Sequence, residues 1–197
     1  MNQQEIWNKI ASEWHKYKIK PAKNTIKFLN SQSGKILDLG SGSGRNLTNI
    51  KKGKMYLVDF SEKMINLAKK RAKDKKISAE FYVSNMTKLP FENNFFDSAI
   101  CISALHSIED KENKEKAVQE LFRVLKPKSQ ALIGVWNKNS KRFKNSTKEK
   151  LIGWTDKGKR YYYLFEEKEV HNLFKKKGFN IISTLNSELM INFMVEK

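Results

Sequence analysis

The chain has 197 residues, enough for a core that buries roughly 70% of the surface an unfolded chain exposes, and its 39 Lys and Arg against 21 Asp and Glu give a formal charge of +18. The longest apolar runs, such as residues 131–136, fall far short of the roughly 20 residues a membrane span needs, and residues 1–5 lack a basic segment leading into an apolar stretch, so a cytoplasmic location is expected. Cys101 is the single cysteine, which excludes an internal disulfide and a cysteine-built zinc site within this chain and predicts metal-free catalysis.

Charge of this sign points to nucleic acid or another anionic surface. Only Arg45, Arg71, Arg123, Arg142 and Arg160 among the basic residues are arginine, and a lysine excess beside many Asn and Ile is also what an AT-rich genome imposes. Both causes can hold, because lysines attract phosphate however they arose.

In chain order, Ile6, Trp7, Ile10 and Trp14 recur at helical spacing, and Pro21 opens a second amphipathic segment with Ile26, Phe28 and Leu29. Short apolar strands then alternate with charged helical stretches, the pattern of βαβ units. Strands are predicted near 35–39, 54–59, 79–84, 96–103 and 130–136, with helices near 44–51, 61–74 and 113–126. A helix near 166–177 leads to strands near 179–185 and 189–196, whose short link at Asn186 and Ser187 allows an antiparallel hairpin. Residues 137–160 break the alternation with nine Lys or Arg and two acids, a candidate substrate loop whose first part, 137–150, reads alternatively as a mobile, solvated connection.

The first strand runs into Gly40-Ser41-Gly42-Ser43-Gly44, with helical sequence expected to follow. Glycines permit a tight turn and let backbone amides approach a ligand. The spacing is G-x-G-x-G rather than the dinucleotide G-x-G-x-x-G, and Asp38 stands two residues before the first glycine. A dinucleotide wants a helix N-terminus for its pyrophosphate, whereas S-adenosylmethionine has no phosphate and a cationic amino group that needs an acceptor such as Asp38, directly or through water. Asp59, 21 residues on at the end of the second strand, is placed to accept ribose hydroxyls. Phe60, Met64 and Met86 are candidates to cover the adenine, Asn85 to meet its edge, and Gly40, Ser41, Gly42, Gly44 and Ser103 to line the same pocket.

The order ILDLGSGSGRNL, MYLVDFSEKMINLAKKRA, NMTKLPFENNFFDSAICISALHSI and ELFRVLKPKSQALIGVW resembles the Rossmann-like methyltransferase class. That class implies an α/β fold, one domain over 1–197, with helices on both faces of a seven-stranded, mostly parallel sheet of order 3-2-1-4-5-7-6, strand 7 antiparallel. Residues 1–30 would form an N-terminal helical cap and 137–163 a substrate-side insertion. The segment W-x-x-I-A-x-x-W leading to Lys18, the pair Val135-Trp136 and the stretch LIGWTDKGKRYYYLFEEKEV look like the tRNA wobble-uridine methyltransferases that esterify 5-carboxymethyluridine, including the domain fused to an AlkB-type oxygenase in animals. The resemblance implies substrate-positioning roles for Lys18, His106, Trp136, Trp154, Arg160, Tyr161 and Tyr162. It also implies two partners: the tRNA anticodon region, and a small zinc-binding activator protein docking on the strand-3 edge, Ala79 to Val83. This sequence departs from the family in Tyr163, where a His is common, in Lys18, where Arg is, and in Asn85, where Asp is.

A carboxymethyl group ionises near pH 4 and is already nucleophilic at neutral pH, so no general base is required and none is expected. A small-molecule enzyme of the quinone or sterol type shares residues 35–136 and is the rival reading. A noncatalytic binding module would have lost Asp38, Gly40, Gly42 or Asp59, all of which are present.

Overall fold

A computed structural model describes residues 2–17, 19–185 and 187–197. Two helices, α1 (Gln3–Tyr17) and α2 (Lys23–Asn30), precede β1 (Gly34–Leu39), β2 (Gly53–Asp59), α3 (Glu62–Lys75), β3 (Ala79–Val83) and β4 (Phe96–Ile102). A single 3-10 turn (Leu105–Ser107), α4 (Lys111–Val124) and β5 (Leu125–Trp136) follow, then β6 (Glu149–Gly153), β7 (Lys159–Tyr163), α5 (Glu167–Lys176), β8 (Asn180–Thr184) and β9 (Met190–Glu196).

Seven strands form one sheet in the order β3-β2-β1-β4-β5-β9-β8. The first five are mutually parallel, while β9 runs antiparallel to both β5 and β8. With β6 and β7 set apart as their own two-stranded sheet, this is the expected Rossmann-like methyltransferase topology.

Both faces of the sheet are covered, which is why its central strands are continuous apolar runs rather than alternating ones. Ile36, Met55, Leu57, Ile100 and Leu132 pack under Phe28 and Leu29 of α2 and Ala68 and Ala72 of α3. The opposite face buries Leu37, Leu39, Ala99, Cys101 and Ile133 against Ala117, Val118 and Leu121 of α4 and Val170 and Phe174 of α5. Strand β3 is one edge of the sheet, with Val83 half exposed. Among the described residues no helix is long and apolar enough to cross a membrane.

One expectation is corrected. Residues 44–51 are not a helix: Gly44 lies at φ +74, outside the helical region, and the chain closes i to i+3 turns from Gly44 N–H to Ser41 and from Leu47 N–H to Gly44 before β2 begins. Within 137–150, the stretch with the solvated alternative, Ser140 and Phe143 are buried, and its end runs into the strands Glu149–Gly153 and Lys159–Tyr163. These strands form the β6–β7 hairpin, joined to α1 by Tyr161 N–H donating to Gln3 Oε1 at 3.0 Å and by Glu13, which accepts from both the Trp154 indole and Lys157. Of the link expected at Asn186 and Ser187, Asn186 lies outside the described residues, Ser187 N–H donates to Met190 O at 3.0 Å, and β8 and β9 pair antiparallel as expected.

The loop from β3 to β4 is fixed from α4. Arg123 holds both Glu120 oxygens at 2.6 and 2.8 Å and donates to the carbonyls of Phe91 at 2.7 Å and Leu89 at 3.1 Å, while Glu120 accepts the Leu89 N–H at 2.7 Å. Hydrogen bonds to charged groups contribute about 1.5–3 kcal/mol each, less when solvent can replace them. Arg123→Ala is therefore expected to lower unfolding free energy by about 2–3 kcal/mol in urea titrations; a change below about 0.5 kcal/mol would mean that solvent replaces the whole clamp.

Candidate active site

The C-terminal ends of β1, β2 and β4 open on a cavity of about 300 Å³. The turn after β1 forms its floor: Gly40 and Ser41 donate their N–H groups to Val58 O, and Gly42 N–H reaches Asp59 Oδ2 at 2.8 Å. Asp59 Oδ1 accepts from Ser61 N–H at 2.9 Å, which sets the carboxylate at the head of α3, where the Ser61 hydroxyl caps the Met64 N–H. Burial pushes the Asp59 carboxyl up to about 6, against these two donors.

Gly40 is irreplaceable on geometry, since it lies at φ +72 and a Cβ there would fall 2.2 Å from that of Ala104. Beside Gly42 the space is open, so a ligand can approach its backbone.

Asp38 lies beneath this turn at 1% exposure, and neither carboxylate oxygen has a hydrogen-bond partner. Burial pushes its carboxyl up to about 7, although the Arg45 charge and the Asn46 amide pull the other way. A buried carboxylate relieved only by a neighbouring guanidinium and a loosely placed amide is costly. It is the kind of group that a cationic ligand arriving in the cavity would satisfy, and it is where the amino group of S-adenosylmethionine was expected. The donor set and the open glycine turn fit that cofactor.

Of the expected cofactor residues, Gly40, Ser41, Gly42, Asp59, Phe60, Met64, Asn85, Met86 and Ser103 line the cavity, while Asp38 and Gly44 stand behind its wall. Asn85 Oδ1 is tied within its own loop by the N–H and hydroxyl of Thr87, both at 3.0 Å. Ser103 takes a left-handed backbone at φ 61, pinned by its N–H to Gly134 O, a strained conformation of the sort that clusters at functional sites.

The expected substrate residues divide. His106, Trp136 and Tyr162 line the cavity; Trp154, Arg160 and Tyr161 do not, and Lys18 lies outside the described residues. Trp136 is already stacked, by Tyr162 at 4.3 Å and 17° and by Phe143 at 5.0 Å and 26°. Arg160 is 5% exposed within a cage of Trp7, Trp14, Trp154 and Tyr162, its guanidinium 4.9–5.7 Å from their ring centres. From there Nη1 donates to the Tyr162 hydroxyl at 2.6 Å. Tyr161 turns to the other side of its strand, where its hydroxyl donates to Glu109 O.

Residues the sequence reading passed over include Gln3, Trp7, Arg45, Asn46, Glu109 and Asn113, all on the cavity wall. Trp7 carried a signal: it stands seven residues before Trp14 on one helix face, and the two rings meet edge to face at 5.2 Å.

Tyr162→Phe strips Arg160 of its 2.6 Å acceptor while Nε is already unpartnered. A loss of about 1–3 kcal/mol in stability is expected, with S-adenosylhomocysteine affinity by calorimetry unchanged within about threefold. A large affinity loss would show that the hydroxyl reaches the cofactor.

The sequence pattern of the family described as methyltransferase domain matches residues 30–178. The chain is 29% identical over 151 residues to the mouse (Mus musculus) tRNA (carboxymethyluridine(34)-5-O)-methyltransferase ALKBH8, covering 76% of this chain and 22% of that protein. It is 32% identical over 106 residues to the Yersinia pestis ubiquinone/menaquinone biosynthesis C-methyltransferase UbiE, covering 50% of this chain and 41% of that one. The chain thus spans less than half the length of either relative. Among solved structures, an S-adenosylmethionine-dependent methyltransferase from Methanosarcina mazei superposes with a TM-score of 0.75 at 22% identity, over 91% of this chain and 99% of its own. A Haloferax volcanii protein solved with the Trm112 methyltransferase activator superposes at 0.73 and 16% identity, over 100% and 98%.

Proposed function

This chain belongs to the methyltransferase-domain family and is an enzyme that uses S-adenosylmethionine, and we propose that the acceptor it methylates is the carboxylate of 5-carboxymethyluridine at the wobble position of tRNA. The observation that carries this is the ALKBH8 similarity, which spans 76% of the chain and so includes sequence beyond the cofactor-binding strands, against 50% for UbiE. Charge supports it: +18 overall, with nine basic residues in 137–160. In this reading 1–197 is one domain, with 1–30 as its cap and 137–163 as its substrate-side insertion.

Asp38, behind the cavity wall, would meet the cofactor's amino group directly or through water, Asp59 the ribose hydroxyls through the lone pairs left by its backbone donors, and Phe60, Met64, Asn85 and Met86 the adenine. The glycine-turn amides at 40–42 and Ser103 would close around the rest. When bound, the cofactor supplies an electrophilic methyl on a cationic sulfur. The chain's share is then to align an already ionised carboxylate and exclude water, and orientation of this kind can supply several kcal/mol without any base. Arg160 would act through Tyr162, whose hydroxyl it polarises, instead of neutralising the nucleophile itself.

An activator protein is the partner this reading adds. It would pair with the open β3 edge, Ala79–Val83, as strand addition does at other unpaired edges. The complex of the Haloferax volcanii neighbour with Trm112 is in line with such an assembly.

A second reading, C-methylation of a quinone-type metabolite, has one observation in its favour: among the described residues, Arg45 is the one Lys or Arg on the cavity wall, and it is partly buried with its charge acting on Asp38. The deciding experiment is incubation with labelled S-adenosylmethionine and either tRNA bearing 5-carboxymethyluridine or a metabolite extract, with and without a Trm112-type activator. Base-labile label in tRNA is expected, together with tRNA affinity that falls linearly on a log–log plot as salt rises. Label confined to small molecules would overturn the tRNA assignment.

A further inference from the structure

His106 stands in the 3-10 turn beyond β4, 1% exposed, with its ring on the cavity wall. The backbone N–H of Trp136, at the end of β5, donates to its Nδ1 at 3.0 Å. A nitrogen can accept that bond only when it carries no proton, so the neutral ring has its hydrogen on Nε2. The rings of Trp136 and Tyr162, 5.1 and 5.4 Å away, hold the imidazole in place. Among the described residues no hydrogen bond engages Nε2.

We propose that His106 is a locked neutral donor, offering its Nε2–H to an oxygen of the methyl acceptor and serving as a specificity residue rather than a base. The proposal rests on the carboxylate reading above for the identity of that oxygen, but the locked tautomer belongs to the protein alone.

The surroundings keep the ring neutral. Burial drives its pKa down to about 3, and no charged side chain among the described residues adds to that effect. From β7 it faces the Tyr162 phenol, itself held protonated by burial with a pKa of about 12, and behind that the caged Arg160. On its own loop, Glu109 and Asp110 lie three and four positions further along the cavity wall.

A neutral donor suits a nucleophile that must be oriented and left reactive. A protonated imidazole, or a lysine, would lower the charge on the oxygen it held. A site that hydrogen-bonds an acceptor oxygen also rejects analogues lacking it, because the donor is then left unpaired.

The test uses the full chain labelled with ¹⁵N in histidine. Two-bond nitrogen–proton correlation from pH 5 to 8, with His106 assigned by the signal missing in His106→Gln, is expected to show the Nε2–H form alone and no titration. An Nδ1–H form, a mixture of the two, or a titration near the ordinary value of 6.5 would overturn the proposal. A kinetic arm compares variants that first bind S-adenosylhomocysteine like the native chain. His106→Gln keeps an N–H donor and is expected to retain kcat within about tenfold, while His106→Leu is expected to fall by about 10² or more, as loss of a positioned donor does. Equal losses would point to a base and also overturn it. If the native chain methylates no tRNA, the carboxylate reading fails, while the spectrum still decides the tautomer.

Discussion

Gly40→Ala is expected to abolish measurable S-adenosylhomocysteine binding and to lower unfolding free energy by about 2–5 kcal/mol. Two costs combine. An alanine at φ +72 sits in the left-handed region, worth about 1–2 kcal/mol, and its Cβ would fall 2.2 Å from Ala104 Cβ and 3.3 Å from Met86 Cε, an overpacking of about 1–3 kcal/mol. Neither neighbour can retreat freely, because Ala104 leads into the turn that carries His106, and Met86 lines the cavity. Urea denaturation and calorimetry would measure the two effects. Ala104→Gly in the same chain should recover the overpacking share and leave the backbone share, and Gly153→Ala, with nothing within 4 Å of its Cβ, should stay within about 0.5 kcal/mol of the native chain. Native-like binding by Gly40→Ala would mean that the turn is not the floor of the cofactor site.

Asp38→Asn should separate stability from function. In the unfolded chain this carboxyl ionises near 3.8, in the fold near 7. Below about pH 4 both states hold the proton and no penalty exists; between there and 7 only the unfolded state releases it, so stability falls as pH rises; above 7 the penalty is complete. A rise from 3.8 to about 7 corresponds to a few kcal/mol. Asparagine never ionises, so at pH 8 the ligand-free variant should melt higher than the native chain, and below pH 4 the difference should vanish. The same change removes the charge that meets the cofactor's amino group, with an expected affinity loss of about 10²–10³, since breaking a buried pair costs about 3–5 kcal/mol. In the native chain, affinity should rise with pH up to about 7 and then level. A variant no more stable at pH 8, with affinity unchanged, would remove Asp38 from the site.

The sheet was readable because its chemistry is local. Ile36-Leu37 and Ala99-Ile100-Cys101 are apolar on both faces, and an alternation of such runs with amphipathic helices leaves few topologies. The glycine turn and its two acids were readable for the same reason, since spacing alone brings Asp38 and Asp59 together once β1 and β2 pair in register. What escaped were features decided by tertiary partners. The β6–β7 hairpin sets Glu149 and Lys150 before Leu151 and Ile152, and Lys159 and Arg160 before three tyrosines, with no period-2 alternation to mark strands, and it folds against α1, distant in sequence. Arg160 could be read as a substrate-positioning residue because an arginine is seldom buried; four aromatic rings gathered from three segments surround it, and it stands off the cavity wall.

Three of the chain's four tryptophans, Trp7, Trp14 and Trp136, lie on the cavity wall. The molecule therefore carries its own optical gauge: whatever enters the cavity displaces water from beside the indoles that dominate its ultraviolet emission. Occupancy by cofactor, product or acceptor can be followed by intrinsic fluorescence without a label, and Trp136→Phe would tell which end of the cavity each ligand fills.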